Sequence, residues 1–130
     1  MPDASLHKKR PLWYDLNLLH LPLPGLVSIL HRVSGGLLFL LLVWLLYLLD
    51  ASLASAERFA AFKSTVTQPF ARLVLLGLLW SFMHHFCAGI RYLFLDVHIG
   101  VDLDSARTTS GVVLGASLGL TAGLGWALLW

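Results

Sequence analysis

Charged side chains are scarce in this sequence of 130 residues. Asp, Glu, Lys and Arg together make up 12% of the chain, against about 25% in an ordinary soluble domain. Hydrophobic residues make up 58%, so a water-soluble fold of this size would have too little polar surface to cover its core. The composition argues against a soluble enzyme, a nucleic-acid-binding domain and a disordered chain, and it indicates an integral membrane protein.

Cysteine is almost missing as well, since Cys87 is the single one in the sequence. One cysteine excludes an intrachain disulfide framework and any metal site built from several thiolates. The chain also shows no internal repeat and no segment with the composition of a soluble domain.

Long apolar stretches are what the sequence does contain. A helix needs about 20 apolar residues to cross a bilayer, and three stretches approach or exceed that length: about 25–49, 73–95 and 111–130. We therefore predict an all-α membrane protein with three transmembrane helices, forming a single domain over residues 1–130. The second helix is expected to begin near Pro69, after a loop of about twenty residues at 50–68.

The basic residues predict the orientation. With the N-terminus inside, six basic residues lie at or near the cytoplasmic side and three lie outside. The positive-inside rule therefore predicts a cytoplasmic N-terminal segment, 1–24. That segment lacks the Arg- and Ser-rich, acid-poor composition of an organelle transit peptide, so a bacterial inner membrane is expected.

Ionisable groups inside a membrane are expensive and need a partner or a function. Ser28, His31 and Arg32 lie on one face near the start of the first span, with Gly35 one step further in and Ser34 about 120° away. Arg32 can simply extend to the lipid headgroups. Together, the three polar side chains also supply donors suited to carbonyl or carboxylate oxygens.

The second span carries a second polar face. Four residues share it at spacings i, i+4, i+7 and i+11: His85, Gly89, Tyr92 and Asp96. His84 and Arg91 share another face. His85 lies about 15 Å from the end of its span, near the bilayer middle. A histidine there can be a haem ligand, part of a proton relay or an interhelical hydrogen-bonding group, and Gly89 allows close approach of a flat cofactor or of another helix.

Two motifs make the sequence resemble a known family. Residues 28–35, SILHRVSG, resemble the start of the first membrane helix in the cytochrome b556 subunits of succinate dehydrogenase, and the upstream Arg10-Pro11, Asp15-Leu16 and Pro22 also fit. Residues 85–91, HFCAGIR, with Asp96, resemble that family's second-helix motif of histidine, three residues, Gly-Ile-Arg and then aspartate. The resemblance covers nearly the whole chain.

The resemblance implies a membrane-anchor subunit of respiratory complex II, an electron-transport complex of the tricarboxylic acid cycle. Such a subunit pairs with a second small membrane-anchor subunit, and the pair anchors an iron–sulfur subunit and a flavoprotein subunit. It helps to pass electrons from the iron–sulfur subunit to ubiquinone. The chain has no flavin-binding or iron–sulfur motif, so it is not expected to oxidise succinate alone.

The resemblance also implies roles for single residues. His85 would be an axial ligand of haem b, with the second ligand in the other anchor subunit. Ser28 and Arg32 would line the ubiquinone site, and His31, Arg32 and Tyr92 would lie near the haem propionates. Tyr92 is a departure, because the family often has histidine there. His84 competes with His85 as ligand but lies one residue out of register.

Two other functions stay open on the sequence alone. One is a haem-free, quinone-binding anchor of a fumarate reductase-type complex. The other is a small proton-relay or transport protein that uses polar groups in its spans, namely His31, Arg32, His84 and Arg91.

Overall fold

Four helices make up the computed structural model, which describes residues 21–129. They are α1 (Leu23–Ala54), α2 (Ala56–Val66), α3 (Pro69–Asp96) and α4 (Leu103–Leu129). The described residues contain no strand. Helices α1, α3 and α4 are each long and apolar enough to cross a membrane, which confirms the prediction of an all-α protein with three spans. At 1.5 Å per residue, the 32 residues of α1 extend about 48 Å, beyond the hydrocarbon core.

The predicted loop at 50–68 is wrong, because helical structure occupies most of it. Helix α1 continues to Ala54, and α2 begins directly after Ser55. The Ser55 hydroxyl oxygen accepts a hydrogen bond from the backbone N–H of Arg58 at 3.1 Å, which satisfies one of the free donors in the first turn of α2. Pro69 opens α3 as expected, since proline lacks the N–H that a first turn leaves unpaired.

The bundle is polar inside and apolar outside. Helix α3 packs against both α1 and α4, and a small apolar centre of Val27, Ala88 and Val113 is buried between them. The other buried positions are mainly polar or charged: Ser34, Ser81, His84, Arg91, Ser110, Ser117 and Thr121. Lipid satisfies apolar side chains at the surface, so the polar groups turn inward and hydrogen-bond between helices or to their own helix backbone.

The connection between α3 and α4 turns sharply before a capped helix start. His98 and Gly100 have positive φ angles of 62° and 76°, and Asp102 then precedes α4. A carboxylate oxygen of Asp102 accepts a hydrogen bond from the Ser105 backbone N–H at 2.9 Å. This bond favours the charged form and lowers the pKa of the Asp102 carboxyl below its ordinary value.

We expect Asp102→Ala to lower the thermal stability of the detergent-solubilised protein at neutral pH, because the cap is lost. The folded-state pKa of Asp102 is depressed, so its stabilisation is fully present above the ordinary value of 3.8 and is lost as the pH falls through the lower, folded-state value. Melting curves recorded from pH 7 into that acid range should therefore converge. Asp104→Ala is the control, since Asp104 lies in the same first turn but its carboxylate accepts no hydrogen bond from the described residues. A constant difference at all pH values would contradict the charged cap.

Candidate functional site at the α1–α3 interface

His85 of α3 contacts the backbone of α1. Its Nδ1 lies 3.0 Å from the carbonyl oxygen of His31. A carbonyl oxygen can only accept a hydrogen bond, so Nδ1 of His85 carries the hydrogen in this contact. In that tautomer of the imidazole, Nε2 keeps its lone pair. Nε2 makes no hydrogen bond to the described residues and is not sealed inside the bundle. The imidazole thus presents an unused acceptor at a half-buried position.

Aromatic rings continue from His85 toward the C-terminal end of α3. The ring of His31 stacks on that of His85, with centroids 4.1 Å apart and planes inclined by 9°. The ring of Tyr92 lies 5.0 Å from that of His31 at 53°. Three of the predicted site residues therefore form one continuous row between α1 and α3.

Glycine residues make this close contact possible. A Cβ atom built on Gly35 would lie 2.8 Å from Cε1 and 3.1 Å from Nδ1 of His85, so only glycine fits beneath the ring as it stands. A Cβ on Gly89 would lie 3.9 Å from Nε2 of His31. The space beside His85 is therefore provided by Gly35 of α1, whereas the sequence pattern pointed to Gly89 of its own helix.

Ser34 also belongs to the site, although its angle around α1 sets it apart from Ser28, His31 and Arg32. It is buried, its hydroxyl donates to the His31 carbonyl at 2.9 Å, and its Oγ lies 3.4 Å from His85 Nδ1. Its small size is the only signal for this contact in the sequence.

His84 and Arg91 face α4 and lie outside the site. His84 is fully buried, with Nδ1 3.4 Å from Oγ of Ser117. Arg91 is also buried, and its Nε donates to Oγ1 of Thr109 at 3.0 Å. The two residues do share a face, as predicted, and that face holds α3 against α4.

Ser28 and Arg32 lie one turn apart on α1, near the row of rings. Ser28 is half-buried and Arg32 is exposed. Among residues 21–129, neither side chain has a hydrogen bond or ion pair. The hydroxyl and the guanidinium group are therefore available to groups outside the described part of this chain.

Comparison with known proteins assigns the chain to a family. A sequence model of the succinate dehydrogenase/fumarate reductase transmembrane subunits matches residues 7–124. The chain belongs to this family. The family resemblance of the two sequence motifs is thereby confirmed, and the matched region includes every predicted site residue.

Individual relatives carry a more specific description. The succinate dehydrogenase cytochrome b556 subunit of Paracoccus denitrificans is 31% identical over 109 residues, 84% of this chain and 84% of the relative. The subunit of the same description from Coxiella burnetii is 32% identical, over 83% of this chain and 87% of the relative. That from Rickettsia felis is 28% identical over 97% of this chain and 94% of the relative.

Family membership and fold agree on the general role. The chain is a multi-pass transmembrane subunit of the succinate dehydrogenase/fumarate reductase type. This finding decides against an independent proton-relay or transport protein. The family description covers transmembrane subunits of both succinate dehydrogenase and fumarate reductase, so a choice between the two anchors depends on the site.

Proposed function

We propose that this chain is the haem b-binding anchor subunit of a succinate dehydrogenase and helps to form its ubiquinone-reduction site. One observation carries the proposal. His85 commits Nδ1–H to a backbone carbonyl and leaves Nε2 free, which is the arrangement that metal-ligating histidines adopt. The relatives described as cytochrome b556 subunits support it.

The residues present fit a haem with one ligand from this chain. His31 would not hold the same haem as a second ligand, because its ring is stacked on that of His85, with centroids 4.1 Å apart. His84 is fully buried inside the bundle, so its Nε2 is closed to a cofactor. As the resemblance to the cytochrome b556 subunits implies, the second ligand is assigned to a second small membrane-anchor subunit, and haem b would be shared between the two chains.

Side chains at one end of the site suit anionic and carbonyl groups. His31, Arg32 and Tyr92 lie on the side of His85 toward the C-terminal end of α3, where haem propionates would accept their hydrogen bonds. Ser28 and Arg32 offer a hydroxyl and a guanidinium donor to the carbonyl oxygens of ubiquinone. When bound, haem b takes up and releases single electrons; the chain's own residues ligate, orient and balance charge.

The partners and the location follow from the same proposal. The chain would anchor an iron–sulfur subunit and a flavoprotein subunit, together with the second anchor subunit, in a bacterial inner membrane. The basic residues of the described helices divide equally: Arg32, Arg91 and Arg107 lie near one end of the bundle, and Arg58, Lys63 and Arg72 lie at or beyond the other. Three more basic residues, at positions 8–10, precede α1 in the sequence and add to the count at the end with Arg32. The positive-inside rule puts the end with Arg32 in the cytoplasm, so the ubiquinone site would face the iron–sulfur subunit.

Purification of the tagged full chain from its native membranes tests the proposal. We expect a second small membrane protein, an iron–sulfur protein and a flavoprotein to co-purify, with a low-spin b-type haem in the reduced-minus-oxidised spectrum. The same soluble partners without haem would favour the haem-free anchor. A chain that is monomeric, folded and loaded with low-spin haem on its own would contradict the shared ligation.

A further inference from the structure

A backbone contact of unusual closeness lies beneath the proposed haem ligand. The edge of the His85 imidazole lies against α1 where Gly35 has no side chain, and a Cβ there would approach two ring atoms at 2.8 and 3.1 Å. The first distance is shorter than real Cβ contacts allow, so any larger residue must displace the ring. The displaced ring would leave both its hydrogen bond to the His31 carbonyl and its stack on the His31 ring.

We propose that Gly35 is a positioning residue that sets the hydrogen bond, tautomer and ring orientation of His85 as a haem ligand. The proposal rests on the proposed ligation by His85. The Nδ1–H···O=C bond, at 3.0 Å, holds the hydrogen on Nδ1 and keeps the Nε2 lone pair for iron. It also makes Nε2 a stronger electron donor, which favours ferric over ferrous iron.

The carbonyl of His31 is shared, and this gives the proposal a second consequence. The Ser34 hydroxyl donates to the same oxygen at 2.9 Å, so it draws electron density away from the bond that His85 makes. Removal of this hydroxyl should strengthen the Nδ1–H bond, whereas a side chain at position 35 should break it. The two changes are therefore expected to shift the haem midpoint potential in opposite directions.

Gly35→Ala and Gly36→Ala form a matched pair for the test. Both replace a neighbouring glycine in α1 and gain the same helix propensity and hydropathy, but a Cβ at Gly36 meets nothing within 4 Å. In the purified complex, Gly35→Ala should raise the haem b midpoint potential, alter its low-spin electron paramagnetic resonance signal and weaken haem retention by roughly ten- to a hundredfold. Gly36→Ala should match the wild type in all three.

Equal potentials and equal resonance signals in the two alanine variants would overturn the proposal. A general packing defect would lower the yield of complex without changing the potential of the haem that remains. If Gly35→Ala fails to assemble, Ser34→Ala tests the bond from Nδ1–H to the shared His31 carbonyl instead. A lowered haem potential supports the proposal, and an unchanged or raised potential overturns it.

The outcome for His85 itself separates this inference from the proposed function. If His85→Leu keeps a wild-type low-spin haem, the proposed ligation is wrong, whatever the glycine variants do. If His85→Leu loses that signal while Gly35→Ala and Gly36→Ala behave alike, the ligation stands and only the role of Gly35 is wrong.

Discussion

Replacement of His85 by leucine should abolish or strongly perturb the low-spin haem b signal of the assembled complex. The change removes the Nε2 lone pair that the bond from Nδ1 to the His31 carbonyl leaves free. A bis-histidine haem that loses one ligand changes its spin state and its potential. The loss of haem should exceed the roughly 10- to 100-fold effect that is typical of residues around the ligands. Optical and electron paramagnetic resonance spectra of the purified complex measure it.

His84→Leu is the control, since it makes the same replacement one residue earlier in α3. His84 is buried and contacts Ser117 of α4, so its loss should lower the stability of the α3–α4 contact and leave a low-spin spectrum. The opposite pattern, with low-spin haem lost in His84→Leu and kept in His85→Leu, would move the cofactor to the α4 side of α3.

Replacement of Arg32 by leucine should impair quinone reduction more than assembly. The exposed guanidinium has no partner among residues 21–129, so its removal leaves no buried charge unpaired and makes α1 more apolar. Hydrogen bonds to charged groups contribute about 1.5–3 kcal/mol, which corresponds to a roughly 10- to 100-fold fall in kcat/KM for quinone. Arg32→Lys should recover activity only in part, because lysine lacks the planar fork of donors.

Quinone reductase activity is compared with the amount of assembled complex in the same membranes. Arg58→Leu serves as the control, because Arg58 is also exposed but lies in α2, in an ion pair with Asp50 at 3.6 Å. That variant should keep its quinone reductase activity. Unchanged activity in Arg32→Leu membranes would refute a role for Arg32 in the quinone site.

Helical periodicity predicted correctly which residues share a face of α3. His84 and Arg91 do turn to one side, and His85 and Tyr92 to another, because a rotation of 100° per residue holds within any regular helix. Periodicity does not state which neighbour each face meets. The contact of His84 with Ser117, and of His85 with the His31 backbone, joins residues 33 and 54 positions apart.

Local sequence rules also missed α2. The segment after Asp50 is polar enough to resemble a loop, yet Ser55 caps a helix whose Phe62 and Val66 line the space against α1 and α3. Packing against these spans supports a helix of 11 residues that would be marginal alone. The formation of α2 therefore depends on tertiary contacts, which the hydropathy of the sequence does not predict.

The sequence by itself determined the class of this protein, its three long apolar helices and, through two motifs, its family. Hydropathy, helix length and residue spacing are local properties, so they can be obtained from the sequence without knowledge of how the helices pack. Only the tertiary structure decided that Gly35 and Ser34 of α1 contact His85, and that His84 and Arg91 turn to α4. The physical reason is that the angle between packed helices decides which face meets which backbone, and a single missing Cβ then decides how closely a ring can approach.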